Sequence, residues 1–177
     1  MFERKPITAG ELMDKQFLPK PVIVEGMLPA GTYILAGTPK IGKSFLMTQL
    51  CWSVAEGIPF LGLATRKSTV LYLALEDTQE RLQSRLARMF GTDWSGSEFH
   101  LLFQINQQGD ALIQQFQDFI LERPDTRLIV IDTLQRVREG DGSSYSYSHD
   151  YETILPLKTF ADAYDIALIV VHHTRKN

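Results

Sequence analysis

Tyr33-Ile34-Leu35-Ala36-Gly37-Thr38-Pro39-Lys40-Ile41-Gly42-Lys43-Ser44 is the stretch on which the reading of this chain turns. An apolar run breaks at Gly37 into a loop that closes with Gly42-Lys43-Ser44 and opens a helix-like apolar pattern. The order is therefore strand, glycine-rich loop, helix, and the loop fits G-x-x-x-x-G-K-[ST]. A triphosphate carries several negative charges. Successive backbone N–H groups at a helix N-terminus surround it only where glycines let the main chain come close. On this reading Gly37, Thr38, Pro39, Lys40, Ile41, Gly42, Lys43, Ser44 and Phe45 line an ATP site. Lys43 reaches the β- and γ-phosphates and Ser44 ligates Mg2+. An ordinary glycine turn between strand and helix is the competing reading.

Outward from this loop, Thr69 to Leu75 and Leu128 to Ile131 are nearly unbroken apolar runs, and a shorter strand is expected over Phe99 to Phe103. A last strand is expected over Ile166 to Val171. Continuous rather than alternating apolarity marks strands covered on both faces, as in a parallel sheet. Helical spacing follows Ser44, with Phe45, Leu46, Leu50, Val54 and Ala55 inward as far as Gly57. It recurs from Thr78 to Gly91, with Leu82, Leu86 and Met89 on one face and Arg81, Arg85 and Arg88 forming a solvated face. Asp77 is expected to cap that helix. A third helix spans Ala111 to Leu121 with Leu112, Phe116, Phe119 and Ile120 inward. Glu139 to His149, dense in glycine and serine, predicts a mobile loop; a helix follows from about Asp150 to Tyr164, where Pro156 predicts a kink or a break at Leu155. The alternation predicts an α/β domain with a mostly parallel sheet and helices on both faces.

Ahead of this core, residues 1–28 are expected to form a strap. Thr8 and Glu11 fit a capping box for a short helix through about Lys15, and Pro19 and Pro21 then force an extended path against the core. Residues 29–177 make up the core itself. A chain of 177 residues with 44% apolar content suits one domain, and a net charge of −3 provides no overall basic field for nucleic acid. The single cysteine, Cys51, falls in an apolar helix pattern and reads as a buried thiol, which suits a reducing cytoplasm. The first residues carry no apolar leader and no run approaches membrane-spanning length, so a cytoplasmic protein is expected.

In parallel α/β sheets ligands gather beyond the carboxyl ends of the strands. Gly37, Glu76, Asp132 and His172 each stand just past such an end. Asp132, after four apolar residues, has the form of a Walker B aspartate that holds Mg2+ directly or through water. Thr133 rather than an acid follows it, so the base that activates water must come from elsewhere. Glu76, at the end of a neighbouring strand, can polarise a water in line with the γ-phosphate. His172 and His173 end the last strand, where a histidine can touch the γ-phosphate. Adjacent strand residues point to opposite sides, so at most one of them is expected to face the nucleotide.

The segments GTPKIGKS at 37–44, LYLALED at 71–77, LIVIDTL at 128–134 and VVHHTRK at 170–176, in this order and spacing, resemble the RecA-like ATPases of the RepA type. These are hexameric replicative helicases and related ATPases of plasmids, phages and mobile elements. The resemblance covers about residue 22 to the end. It implies a RecA-like P-loop core in which Lys43 and Ser44 bind phosphate and Mg2+, Asp132 is the Walker B acid, Glu76 the catalytic base, and His172 or His173 the γ-phosphate sensor. It also implies that the loop after Asp132 and the loop starting at Thr174 line a pore and touch single-stranded DNA, with a homo-oligomer as the working form; in those loops Arg136, Arg138, Arg175 and Lys176 are candidates to meet phosphates and Tyr145 and Tyr147 to stack on bases, solvated loop residues being the competing reading. Members of that family continue past the sensor strand to an arginine finger, so a core incomplete at its C-terminus is expected. Two other classes compete: a regulatory ATP-binding module without efficient turnover, and a P-loop small-molecule kinase, for which Ser143 to His149 lacks an arginine-bearing lid.

Overall fold

The computed structural model describes residues 6–94, 98–105, 111–138 and 147–174. Its centre is a five-stranded parallel sheet of β3 (Gly31–Gly37), β4 (Thr69–Ala74), β5 (Phe99–Leu102), β6 (Thr126–Asp132) and β7 (Ala167–His173), in the order β3-β7-β6-β4-β5. A small antiparallel pair, β1 (Val22–Val24) and β2 (Leu28–Pro29), precedes it.

The three central strands are the ones whose sequences are apolar without a break. Every residue of β4 is buried, and Leu128 to Ile131 and Ala167 to Val171 are buried as well. Alternate residues feed two cores. Val70, Tyr72, Leu128, Val130 and Ile169 pack toward helices α2 (Lys43–Glu56) and α3 (Gln79–Phe90). Leu71, Leu73, Ile129, Ile131 and Leu168 pack toward α4 (Ala111–Glu122) and α6 (Tyr147–Tyr164). This is the three-layer α/β arrangement expected from the alternation, with the edge strands β3 and β5 only partly covered.

Several expectations are corrected. On α2 the buried stripe is Met47, Leu50, Cys51, Val54 and Ala55, so Phe45 and Leu46 point away from the core although both are apolar. Residues 6–20 do not pack against the core: the capping box of α1 (Ala9–Met13) forms, but every residue of the segment is exposed. Its helix is one turn of peptide without an apolar face to bury, and the tether is an ion pair from Lys20 Nζ to Asp162 Oδ1 at 2.8 Å. Only from Val22 does the strap join the core, through Ile23 and Val24.

Pro156 does not break α6, because the helix runs unbroken from Tyr147 to Tyr164. Its buried residues Leu157, Phe160 and Ala161 hold the segment after the proline on the sheet. Tyr147 to His149 therefore belong to this helix, whereas 139–146 of the expected loop, Tyr145 included, lie outside the described residues. Cys51 is fully buried, and burial pushes its thiol well above the usual range. Among the described residues no helix is long and apolar enough to cross a membrane.

The two sides of α4 differ sharply. Phe116 is fully buried against Phe160, with ring centroids 5.6 Å apart, while Leu121 is 77% exposed. Phe116→Ala is expected to cost about 3–5 kcal/mol and Leu121→Ala under about 0.5 kcal/mol, measured as shifts in urea denaturation.

Candidate functional site

Because the five strands run parallel, their carboxyl ends share one edge, and register aligns them there. Gly37 pairs with His173, Ala36 with His172, and Ala74 with Asp132. The pocket at this edge has a volume of about 520 Å³.

The loop after β3 turns through left-handed backbone at Lys40 (φ 67°) and Gly42 (φ 95°). Gly42 caps α2 without any side-chain hydrogen bond, which leaves first-turn N–H groups of that helix turned toward the loop. Lys43 is 7% exposed, and its ammonium donates to the carbonyls of Gly37 at 2.7 Å and Thr38 at 2.9 Å. The long cation is thereby folded across the inside of the loop. Pro39, Lys40, Gly42, Lys43, Ser44 and Phe45 line the pocket. Ile41 is 63% exposed and, with Gly37 and Thr38, lies outside that lining.

From the other strands come Glu76, Asp132 and His173, all on the pocket wall. Asp132 is buried and accepts a hydrogen bond from the Tyr72 phenol at Oδ2, 2.6 Å away. Burial, the Asp132 charge and this bond together push the phenol well above its usual pKa range. Glu76 accepts at Oε1 from the Thr133 hydroxyl at 2.7 Å, and its Oε2 lies 3.8 Å from His173 Nε2. His173 lines the pocket and His172 does not, as their opposite directions on the strand require.

The hard oxygens of Ser44 and Asp132 are suitable donors for a divalent cation such as Mg2+. Among the described residues no lysine, arginine or histidine forms an ion pair with Asp132. A buried carboxylate in that condition is costly unless its charge is met, so the site fits such an ion. Among the described residues there is no cluster of three or more His, Cys, Asp or Glu able to hold a metal.

Of the residues expected to meet DNA, only Arg136 has a described side chain. Arg136 is exposed on α5 (Leu134–Arg138), outside the pocket lining. The side chain of Arg138, and Arg175 and Lys176 entirely, lie outside the described residues.

Two expectations about α3 are overturned. Thr78, not Asp77, caps the helix, its hydroxyl accepting from Arg81 N–H. Asp77 pairs instead with Arg85 at 2.6 Å, and both side chains are 11% exposed. Arg85 is therefore no member of a solvated face: it lines the pocket, and its guanidinium lies 4.9 Å above the centre of the Phe45 ring. Phe45 faces the pocket because it lies off the buried stripe of α2. The spacing Asp77, Arg81, Arg85, four residues each, was the available signal for an aligned acid and two bases. Tyr72 carried one too, as a phenol in a buried strand that must find an acceptor.

A family model described as an AAA domain matches residues 2–177. The chain is 29% identical over 157 residues to the DNA repair protein RadA of Streptococcus pyogenes serotype M6, covering 88% of this chain and 30% of that protein. The RadA of Helicobacter pylori strain J99 is 26% identical over 157 residues, covering 88% of this chain and 31% of that protein. The chain thus spans less than a third of the length of these curated relatives. Among solved structures, a KaiC-like protein from Pyrococcus horikoshii superposes with a TM-score of 0.62 at 17% identity, over 86% of this chain and 65% of that one. The shared fold is the RecA-like α/β P-loop fold.

The Asp77–Arg85 pair is expected to give a double-mutant coupling of about 1–3 kcal/mol in urea denaturation. Arg81, 71% exposed and 3.5 Å from the same carboxylate, is expected to couple by under about 0.5 kcal/mol.

Proposed function

The chain belongs to this AAA domain family and is a RecA-like P-loop ATPase domain, and from that premise we propose that it binds MgATP in the pocket at the carboxyl edge of the sheet and hydrolyses it. The observation that carries the reading is the convergence of Lys43, Ser44, Glu76, Asp132 and His173, from four separate strand ends, on one pocket. Lys43 and the N–H groups opening α2 bind the phosphates. Ser44 and Asp132 hold Mg2+, which when bound offsets phosphate charge. Glu76 polarises the attacking water, and His173 rather than His172 senses the γ-phosphate.

The wider role we propose is a DNA-handling ATPase of the RepA helicase type, working on single-stranded DNA as a homo-oligomer, with Arg136, Arg138, Arg175 and Lys176 toward the strand. Support comes from relatives that are named DNA repair proteins, and from the exposed position of Arg136 on α5, three residues after Thr133 at the pocket edge of the sheet.

Lys43→Ala is expected to abolish ATP binding and turnover, read by calorimetry and phosphate release. Glu76→Gln is expected to keep ATP affinity within a few-fold while single-turnover hydrolysis falls by about 10²–10⁴-fold. Equal hydrolysis by wild type and Glu76→Gln would leave a nucleotide-binding module instead. Single-stranded DNA is expected to bind with salt-dependent affinity and to raise turnover; failure of both removes the helicase role and leaves the ATPase intact.

A further inference from the structure

Two buried hydroxyl groups face carboxylates across the β4–β6 strand pair. Tyr72, inside β4, donates to Asp132 at the end of β6. Thr133, just past β6, donates to Glu76, just past β4. Both hydroxyl-bearing residues are fully buried. The exchange is reciprocal, each strand supplying one carboxylate and the hydroxyl that holds the other strand's.

On the MgATP reading above, we propose that Tyr72 and Thr133 are positioning residues of the hydrolytic centre, Tyr72 orienting Asp132 for the cation and Thr133 orienting Glu76 for the water. In each carboxylate one oxygen is engaged by a hydroxyl, and the second oxygen of Glu76 lies 3.8 Å from His173 Nε2, which also lines the pocket. Neutral donors suit this task. A hydroxyl fixes the rotamer of a carboxylate without cancelling its charge, whereas an arginine, as at Asp77, would cancel it. Packing alone does not account for the phenol. The Tyr72 ring meets Phe99 edge-on with centroids 6.2 Å apart, a contact that phenylalanine would make as well. The hydroxyl adds only a group that must be satisfied once buried. Thr133 likewise could be valine if volume were the sole requirement.

The test uses purified protein carrying Tyr72→Phe, Thr133→Val or Thr133→Ser, with three readouts: Mg2+-dependent binding of a fluorescent ATP analogue, single-turnover hydrolysis, and urea denaturation. Tyr72→Phe is expected to raise the Mg2+ concentration for half-maximal nucleotide binding about tenfold, without changing metal-free nucleotide affinity. Thr133→Val is expected to slow single-turnover hydrolysis about tenfold at an unchanged Mg2+ midpoint, and Thr133→Ser to restore it. Variants that shift only the urea midpoint, with wild-type Mg2+ dependence and rate, overturn the inference alone. A wild-type protein without Mg2+-dependent nucleotide binding overturns the MgATP reading and the inference with it.

Discussion

The parallel pairing of β3, β7, β6 and β4 is the constraint on which the pocket depends. The middle residues of β4, β6 and β7 are buried on both faces, so a charged side chain has a place only where those strands enter or leave the sheet. Glu76, Asp132 and His173 occupy those exits, and Gly37 opens the phosphate loop at the fourth. Register converts this into geometry. Sliding β6 by one residue along β4 would carry Asp132 about 3.3 Å and turn its side chain to the other face, away from both Tyr72 and the loop. The two cores on either side of the sheet resist that slip, since every buried aliphatic of β6 would exchange faces with it. Apolar burial thus sets the separation of groups that make no apolar contact themselves.

The charges in the pocket are handled in two ways. Asp77 is closed off by Arg85 and Arg81, and the resulting assembly, seated on the Phe45 ring, ties the loop after β4 to the first turn of α2. Asp132 and Glu76 meet hydroxyls instead, with His173 Nε2 a further 3.8 Å from Glu76 Oε2. Lys43 is bound to loop carbonyls, which orient its ammonium and do not neutralise it. The distribution separates a charge pair that holds the walls together from charges directed at whatever enters. Only the second kind suits a polyanion accompanied by a divalent cation.

How much of this was legible depended on whether the signal was local. The phosphate loop, the apolar strands and the acids at their ends are short-range patterns, and the structure has strands at each of those positions. The capping box of α1 is equally local and forms as expected, yet nothing in it says whether the helix packs, and it does not. Phe45 shows the opposite difficulty. Its hydrophobicity suggests the core, but the stripe that decides the matter is set by how α2 lies on the sheet, which no single residue reveals. The break expected at Pro156 does not occur, its local penalty being outweighed by the packing of Leu157, Phe160 and Ala161 beyond it. The hydroxyl contacts span 57 and 60 residues of sequence, so they follow from sheet order and register and from nothing nearer.

Thr133 carries that dependence out of the pocket. Its hydroxyl is given to Glu76 while its carbonyl accepts from the N–H of Arg136 at 3.1 Å, in the first turn of α5. Leu134, the first residue of α5, is buried in the core on the far side of the sheet, beside β7. The root of α5 is therefore bonded to the same residue that bonds Glu76.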